Sequence, residues 1–281
     1  MFVYFQTQSG FNDILTAIQF LLNYCIRSKR ILLLDTVNGI YNINFSDYFE
    51  FKHPLVICDF NKIKNILKEN ERSVHPEHLE GNLHHVITGD IRFKWTIHGY
   101  EYDGTKLDLP LNSTKKVVMF ASVGGGDGIN VFHKYVFLKP SLRNNCNINL
   151  SKINRPYICV QVRNTDHKCD YKKLYEDNKS LLHSYNSVYI ATDDKHCLKF
   201  FNEMGLNVYN FVTFSDTYRT IHQDMTLDPD TKIKDLMTDI YMITMADKLI
   251  SSSKGFFIHF VRSCNQHSKL IESKFKDIDT L

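Results

Sequence analysis

Tyr157-Ile158-Cys159-Val160-Gln161-Val162 is a short apolar run, bounded upstream by Arg155-Pro156 and followed at once by Arg163, Asn164, Thr165 and Asp166. A run of this length without polar alternation reads as a strand buried in a sheet. A strand that leaves no face to water needs covering elements on both sides, which points to an α/β protein with a parallel sheet. The run delivers an arginine and an aspartate just past its carboxyl end, where open α/β sheets carry ligand chemistry. A guanidinium held there grips phosphate bidentately without losing its charge.

The rest of the chain alternates in the same way. Phe2 to Gln6 reads as a strand, followed by a polar turn with Gly10, a helix from Asn12 or Asp13 to about Arg27, and a strand at Arg30 to Leu34. A strand at Leu55 to Cys58 and a helix around Lys62 to Asn70 come next, then an irregular stretch from Ser73 to Asn112 rich in His, Gly and Tyr. Lys116 to Ala121 is a buried strand that empties into Ser122-Val123-Gly124-Gly125-Gly126-Asp127-Gly128, and Ile129 to Leu142 is helical up to Pro140. The Asn-rich, turn-prone segment Arg143 to Pro156 marks the domain boundary. Beyond it the pattern resumes: strand Tyr157–Val162, helix near Tyr171–His183, strand Val188–Ala191, helix Lys195–Met204, strand Asn207–Phe211, helix Ile233–Ala246, strand Lys248–Ser251, and a last helix from about Gly255. Two successive βα arrays predict two Rossmann-like domains facing an interdomain cleft, residues 1–145 and 146–281.

Composition narrows the function classes. The 281 residues are 43% hydrophobic and 23% charged, ordinary for a globular protein, and a formal charge of +3 is too small to argue for nucleic acid. The seven cysteines are scattered, odd in number and form no Cys-x-x-Cys, which predicts free thiols in a reducing compartment. The N-terminus has no basic leader, and the apolar segment Ile14 to Ile26 is broken by Thr16, Gln19 and Asn23 at helical spacing, too short to span a bilayer. A cytoplasmic protein with no membrane span and no nucleic-acid partner is expected, and the sequons at Asn44, Asn112, Asn149 and Asn178 are read as chance matches.

Three segments of the second half end strands in similar polar chemistry. They are Arg163-x-x-Asp166, Ala191-Thr192-Asp193-Asp194, and Ser251-Ser252-Ser253 ahead of a helix that begins near Gly255. Serine hydroxyls and free backbone N–H groups at a helix start form a cradle for phosphate. In a parallel sheet the three ends share one edge, so Arg163, Asp193 and Ser252 are expected to converge on one ligand. Taken singly, an arginine after a strand serves as a surface ion pair, Thr-Asp-Asp as a helix cap, and three serines as a loop.

The order of these blocks resembles the fucosyltransferase superfamily that includes bacterial, core and protein-O-fucosyltransferases. The family's His-x-Arg-x-x-Asp is matched by Gln161-x-Arg163-x-x-Asp166, its Thr-Asp-Asp strand end by Thr192-Asp193-Asp194, and its Ala-Asp-x-x-Ile-x-x-Ser-Ser by Ala246-Asp247-Lys248-Leu249-Ile250-Ser251-Ser252-Ser253. Gly10-Phe11-Asn12 corresponds to the family's N-terminal glycine turn, and Phe137-Leu138-Lys139-Pro140-Ser141-Leu142 to the segment ahead of the arginine strand. The resemblance implies a GT-B fold with an acceptor-side N-terminal domain and a nucleotide-sugar C-terminal domain. It implies an inverting, metal-independent glycosyl transfer from GDP-fucose to a glycan hydroxyl, with the nucleotide sugar as co-substrate and no resident cofactor. Arg163 would neutralise the departing diphosphate, Ser252 and Ser253 would bond its oxygens, the backbone of Gly10-Phe11-Asn12 would close over it, and Asp193 or Asp194 would lie towards the nucleotide. Gln161 departs from the family histidine: its amide donates a hydrogen bond but cannot take up a proton, so any role that needs an imidazolium is lost. Another donor such as UDP-xylose, or a non-catalytic nucleotide- or sugar-binding module, are the alternatives.

The candidates for the base that takes the acceptor's proton are Asp13, beside the N-terminal turn, and Asp127, in the glycine-rich loop; each also reads as a cap or turn residue. The glycine loop is neither a Walker loop nor a dinucleotide fingerprint, and is expected to shape the acceptor site. His75, His78, His84 and His85 match no zinc spacing, and Asp228-Pro229-Asp230 reads as a turn and N-cap rather than a metal-binding pair.

Overall fold

In a computed structural model of the chain, the described residues are all but 90–93, 97–98, 103–104, 123–124, 166–167, 216–223, 225 and 276–281, with backbone alone described for 94–96, 99–102, 105–106 and 122. Contacts divide the chain into two units, Met1–Phe137 and Leu138–Leu281.

The first unit runs β1 (Phe2–Thr7), α1 (Phe11–Ser28), β2 (Ile31–Asp35), β3 (Phe49–Phe51), β4 (Val56–Ile57), α2 (Phe60–Glu69), β5 (Val74–His75), α3 (Leu83–Ile87), β6 (Lys94–Thr96), β7 (Gly99–Tyr102), β8 (Thr105–Lys106), β9 (Val117–Ser122) and α4 (Ile129–Tyr135), and the chain leaves along β10 (Val136–Leu138). Its main sheet has the order β4-β2-β1-β9-β5 with every pair parallel. Val3, Tyr4 and Phe5 at its centre are wholly buried, as a strand with neighbours on both sides and helices on both faces requires. On one face Tyr4, Leu33, Val117 and Met119 pack with Ile63 and Leu67 of α2 and Leu83 and Val86 of α3. α1 ends on Lys29, in the left-handed region at φ 53°, and hands over to Arg30. That arginine is 1% exposed and donates to the carbonyls of Phe2, Ser113, Lys115 and Lys116, tying together the amino end of the sheet.

The second unit runs α5 (Pro140–Ser151), β11 (Tyr157–Val162), α6 (Tyr171–His183), β12 (Ser187–Thr192), α7 (Lys195–Glu203), β13 (Val208–Tyr209), α8 (Pro229–Met245), β14 (Lys248–Ser251), α9 (Phe256–Gln266) and α10 (Ser268–Glu272). Its four strands are parallel in the order β13-β12-β11-β14. All six residues of β11 and of β12 are buried. Ile158, Val160 and Val162 point to one face, against Tyr175 and Leu182 of α6 and Cys197 and Phe201 of α7. Tyr157 lies on the opposite face and donates its hydroxyl to the Met242 carbonyl of α8 at 2.7 Å. Each fully buried Val or Ile contributes about 1.5–3 kcal/mol, which is why so short a run holds the centre of the unit.

Three expectations are corrected. The stretch Arg143 to Pro156 does not separate units: residues 140–151 form α5, which belongs to the second unit, so the division falls at 137/138 rather than 145/146. Its asparagines disguise it, because Asn145 donates to Thr238 and Asn147 accepts from Tyr241, so polar side chains are spent between helices instead of in water. The helix expected from Ile129 up to Pro140 stops at Tyr135, and the last residues before Lys139 form β10; Pro140 sits at the start of α5, where its missing N–H costs nothing. The irregular middle contains β5, α3 and the antiparallel sheet β6-β7-β8, whose strands of two to four residues are too short for periodicity to reveal.

Candidate functional site

In the parallel sheet of the second unit the strand order reverses once, between β11 and β14, and in that of the first it runs β4-β2-β1, switches to β9 and turns back to β5. Ligands of open α/β sheets bind outside the carboxyl ends of the strands at such a switch point. In the second unit Gln161 is the register partner of both Ser251 and Ala191, and Val162 that of Thr192. Arg163, Asp193 and Ser252 therefore leave the sheet side by side, as the three strand ends predict.

Hydrogen bonds lace these ends together. On the β14 side the Arg163 N–H donates to Ser253 Oγ at 2.8 Å, the Ser253 N–H to Ser251 Oγ at 3.0 Å, and the Ser251 hydroxyl to Gln161 Oε1 at 2.6 Å. On the β12 side Asp193 accepts from the Asn164 N–H at 2.7 Å and the Thr165 hydroxyl at 2.6 Å. Asp194 accepts from Asn164 Nδ2 at 2.6 Å and from the His196 N–H at 2.8 Å, the latter as the cap of α7. Thr192 is buried and its hydroxyl accepts from the Asp194 N–H. Asn164, which the sequence did not single out, is the hub, since its Oδ1 also accepts from the Cys169 N–H. Asp166 lies outside the described residues.

The helix that follows the serines begins unlike the aspartate-capped helices of the fold. α2, α6, α7 and α8 are each capped by an aspartate, Asp59, Asp170, Asp194 and Asp228, whose carboxylate accepts first-turn N–H groups. α9 starts at Gly255, at φ 115° and ψ 177°, with no side-chain cap, and α1 starts at Gly10, also without one. At that φ a side chain on residue 255 would be strained. Just upstream, Ser252 Oγ is shielded from solvent and has no hydrogen-bond partner among the described residues. A buried hydroxyl without a partner next to an uncapped helix start is suited to an anion.

A further group at this end of the unit is the Tyr189–Asp239 pair, in which the tyrosine hydroxyl donates to Asp239 Oδ1 at 2.6 Å. Burial pushes the Asp239 carboxyl up to about 7, the charges of Asp235 and Asp193 add to the rise, and the tyrosine hydrogen bond opposes it. Its sequence signal was the one aspartate in the apolar second half of α8, beside Ile240, Tyr241, Met242 and Ile243.

In the first unit, Asn12 is 3% exposed and clamps the glycine loop: its Nδ2 donates to the Gly126 carbonyl at 2.8 Å and its Oδ1 accepts from the Gly128 N–H at 3.0 Å. A Cβ on Gly128 would meet Leu15 Cβ at 2.4 Å, so only glycine permits this approach to α1. The clamp sets Asp127 and Asp13 at one corner of the unit, for Asp127 lies between the two clamped glycines and Asp13 follows Asn12 in the first turn of α1. Asp127 is exposed and accepts from the Ile129 N–H at 3.0 Å, the role of a turn residue. Phe11 is core, its ring 5.7–6.1 Å from those of Phe45, Phe49 and Phe132, and its N–H donates to the Tyr41 hydroxyl. Gln6 Nε2, Thr7 Oγ1 and Ser9 Oγ, where the chain leaves β1, are buried without partners among the described residues; nothing in the sequence pattern marked them.

His75 pairs with Asp108 at 2.7 Å, and Asp230 with Lys234 one turn on in α8. Among the described residues no group of three or more His, Cys, Asp or Glu side chains is placed to hold a metal ion, and no helix is long and apolar enough to cross a membrane. All seven cysteines are free thiols.

No protein-family model and no curated protein sequence matches the chain. Solved structures do. NodZ alpha-1,6-fucosyltransferase soaked with GDP-fucose superposes with a TM-score of 0.58 at 16% identity, over 93% of this chain and 91% of that one. Fucosyltransferase NodZ from Bradyrhizobium gives 0.57 at 15%, over 93% and 92%. POFUT1 in complex with GDP gives 0.56 at 14%, over 95% and 96%. At this identity the likeness is one of architecture, and the chain has the two-unit GT-B fold of these fucosyltransferases.

Proposed function

We propose that the chain is an inverting, metal-independent glycosyltransferase that moves fucose from GDP-fucose to a glycan hydroxyl. The observation that carries this reading is the meeting of Arg163 with the serine loop that opens α9, at the switch point of the second sheet. The neighbours crystallised with GDP or GDP-fucose support a guanosine diphosphate donor.

The reaction builds charge where those groups sit. The acceptor oxygen bonds to the anomeric carbon as the bond from that carbon to the β-phosphate oxygen breaks, and the electron pair leaves with GDP. Arg163, the hydroxyls of Ser252 and Ser253 and the N–H groups that begin α9 stabilise the diphosphate more as its charge grows, which lowers the barrier. Asp13 or Asp127 takes the acceptor's proton. Asp193, Asp194, Thr192 and Ser251 belong to the donor site chiefly through the loops they hold, with the first unit, Met1–Phe137, serving the acceptor and the second, Leu138–Leu281, the donor. Seven free thiols support a reducing, cytoplasmic setting.

The test is a thermal-shift panel of GDP-fucose, GDP, UDP-xylose and UDP, followed by GDP release in the presence of glycan acceptors. A donor at a hundred times its Kd stabilises the fold by about 2.7 kcal/mol. GDP-fucose and GDP are expected to raise Tm, turnover to persist in chelator, and Arg163→Ala to lose at least about a hundredfold in turnover. A shift with UDP-sugars alone changes the donor. Binding without turnover makes the chain a binding module, and no shift with any nucleotide sugar sinks the reading.

A further inference from the structure

We propose that Gln161 is a positioning residue that sets Arg163 through a relay of two serine hydroxyls. The inference rests on the reading of Arg163 as the diphosphate-binding group.

Gln161 is 5% exposed and sits second from the end of β11, on the face it shares with Tyr157 and Cys159. A buried amide is costly unless bonded, so a glutamine in this run calls for a partner. Its partner is Ser251, directly across the β11–β14 pair. The direction of the relay follows from what each group can do. A backbone N–H only donates, so Ser253 N–H gives its proton to Ser251 Oγ, and Arg163 N–H gives its proton to Ser253 Oγ. The Ser251 proton is then directed to Gln161, which must present its oxygen. The Arg163 N–H is thereby held from the β14 end by Ser253 and Ser251, which Gln161 anchors from β11, while the next N–H, of Asn164, is held from the β12 end by Asp193.

Two consecutive backbone N–H groups fixed by side chains from two neighbouring strands leave the start of the Arg163 side chain little freedom. Its guanidinium lies at the end of a long flexible stem, so a small rotation at Cα becomes a large displacement at the ligand. Misplacement by about 1 Å costs as much as a hundredfold in rate. Gln161 acts on the reaction by this route and touches neither donor nor acceptor. Removing its oxygen frees Ser251 to rotate, which loosens Ser253 and then the Arg163 N–H.

Amide hydrogen exchange on the 15N-labelled, ligand-free protein tests the relay without reference to any substrate. Gln161→Met keeps the length and removes the acceptor; Gln161→Glu keeps an acceptor oxygen. The Arg163 amide is expected to exchange about tenfold faster in Gln161→Met and in Ser253→Ala, the equivalent of one lost hydrogen bond of about 1.4 kcal/mol. It should stay near the wild-type rate in Gln161→Glu, with the Val160 amide unchanged throughout. In the presence of GDP-fucose, Gln161→Met should raise KM about tenfold relative to Cys159→Ala, a core change on the same strand and face, when the two are compared at equal loss of Tm. Equal Arg163 exchange in wild type and Gln161→Met, or a Gln161→Glu protein as fast as Gln161→Met, overturns the relay. If the wild type binds no nucleotide sugar, the functional proposal falls and the exchange rates still decide the relay.

Discussion

Replacing Asp239 by asparagine should change how stability depends on pH, in a direction and over a window that follow from its surroundings. The carboxyl accepts the Tyr189 hydroxyl at 2.6 Å and is shifted by burial from 3.8 to about 7, with Asp235 and Asp193 adding to the rise. A carboxyl whose folded pKa is raised holds a proton in the folded state that the unfolded chain releases. Its contribution is therefore fully present below about pH 4 and is lost as pH rises to about 7. The three-unit span is worth about 4 kcal/mol at most. The full figure is not expected, because part of the residue reaches the surface. Asp239→Asn keeps an oxygen for Tyr189 and cannot ionise. Urea unfolding of both proteins from pH 4 to 8 should show the variant gaining on the wild type by more than about 1 kcal/mol across that range. Tyr189→Phe, which removes the hydrogen bond that lowers the carboxyl's pKa, should move the wild-type window to higher pH. A difference between Asp239→Asn and wild type that stays flat from pH 4.5 to 7.5 would refute the argument.

Substitutions at four other positions probe the strand ends of the two units. Gly128→Ala places a Cβ at 2.4 Å from Leu15 Cβ, and overpacking of that kind should cost about 1–3 kcal/mol in a thermal or urea scan; an unchanged Tm would mean that α1 and the glycine loop can part freely. Asp193→Ala strips the acceptor from the Asn164 N–H and the Thr165 hydroxyl and should cost about 1–3 kcal/mol, with donor affinity falling alongside, whereas Asp193→Asn should recover part of both. Of Asp13→Asn and Asp127→Asn, one should lower turnover by about a hundredfold or more while leaving the GDP-fucose thermal shift intact; if neither does, the base lies elsewhere.

The parallel sheet of the second unit was readable because β11 and β12 are buried along their whole length, and burial on both faces leaves a run that nothing but an interior strand explains. α5 was not, because its asparagines bond to Thr238 and Tyr241 on α8, and composition alone treats asparagine as a mark of solvent. The same limit applies at the strand ends. Arg163, Asp193 and Ser252 do leave one edge together, but sequence shows only which polar groups arrive there. It does not show that both oxygens of Asp193 are engaged by the neighbouring loop, that Asp194 caps α7 as its bland reading held, or that the amide of Asn12 is spent on Gly126 and Gly128. Lone pairs are allotted by tertiary packing, and no local pattern records the allotment.

That allotment also separates scaffolding from site. Four helices, α2, α6, α7 and α8, begin with an aspartate whose carboxylate consumes first-turn N–H groups, while α1, α3, α4, α5, α9 and α10 begin without a side-chain cap. An aspartate ahead of α9 would occupy the same N–H groups and set a negative charge against an incoming diphosphate. Gly255 avoids both, and its φ of 115° keeps most other residues out. Ser251 gives its proton to Gln161, whereas Ser253 Oγ accepts from the Arg163 N–H and still has a proton to donate, and the shielded Ser252 hydroxyl has no partner among the described residues, so it is Ser252 and Ser253 that retain hydrogen-bonding capacity for a ligand. The serine triplet thus divides by role: Ser251 builds the site, Ser252 is available to act in it, and Ser253 does both, holding the Arg163 N–H with a lone pair and keeping its proton for the ligand.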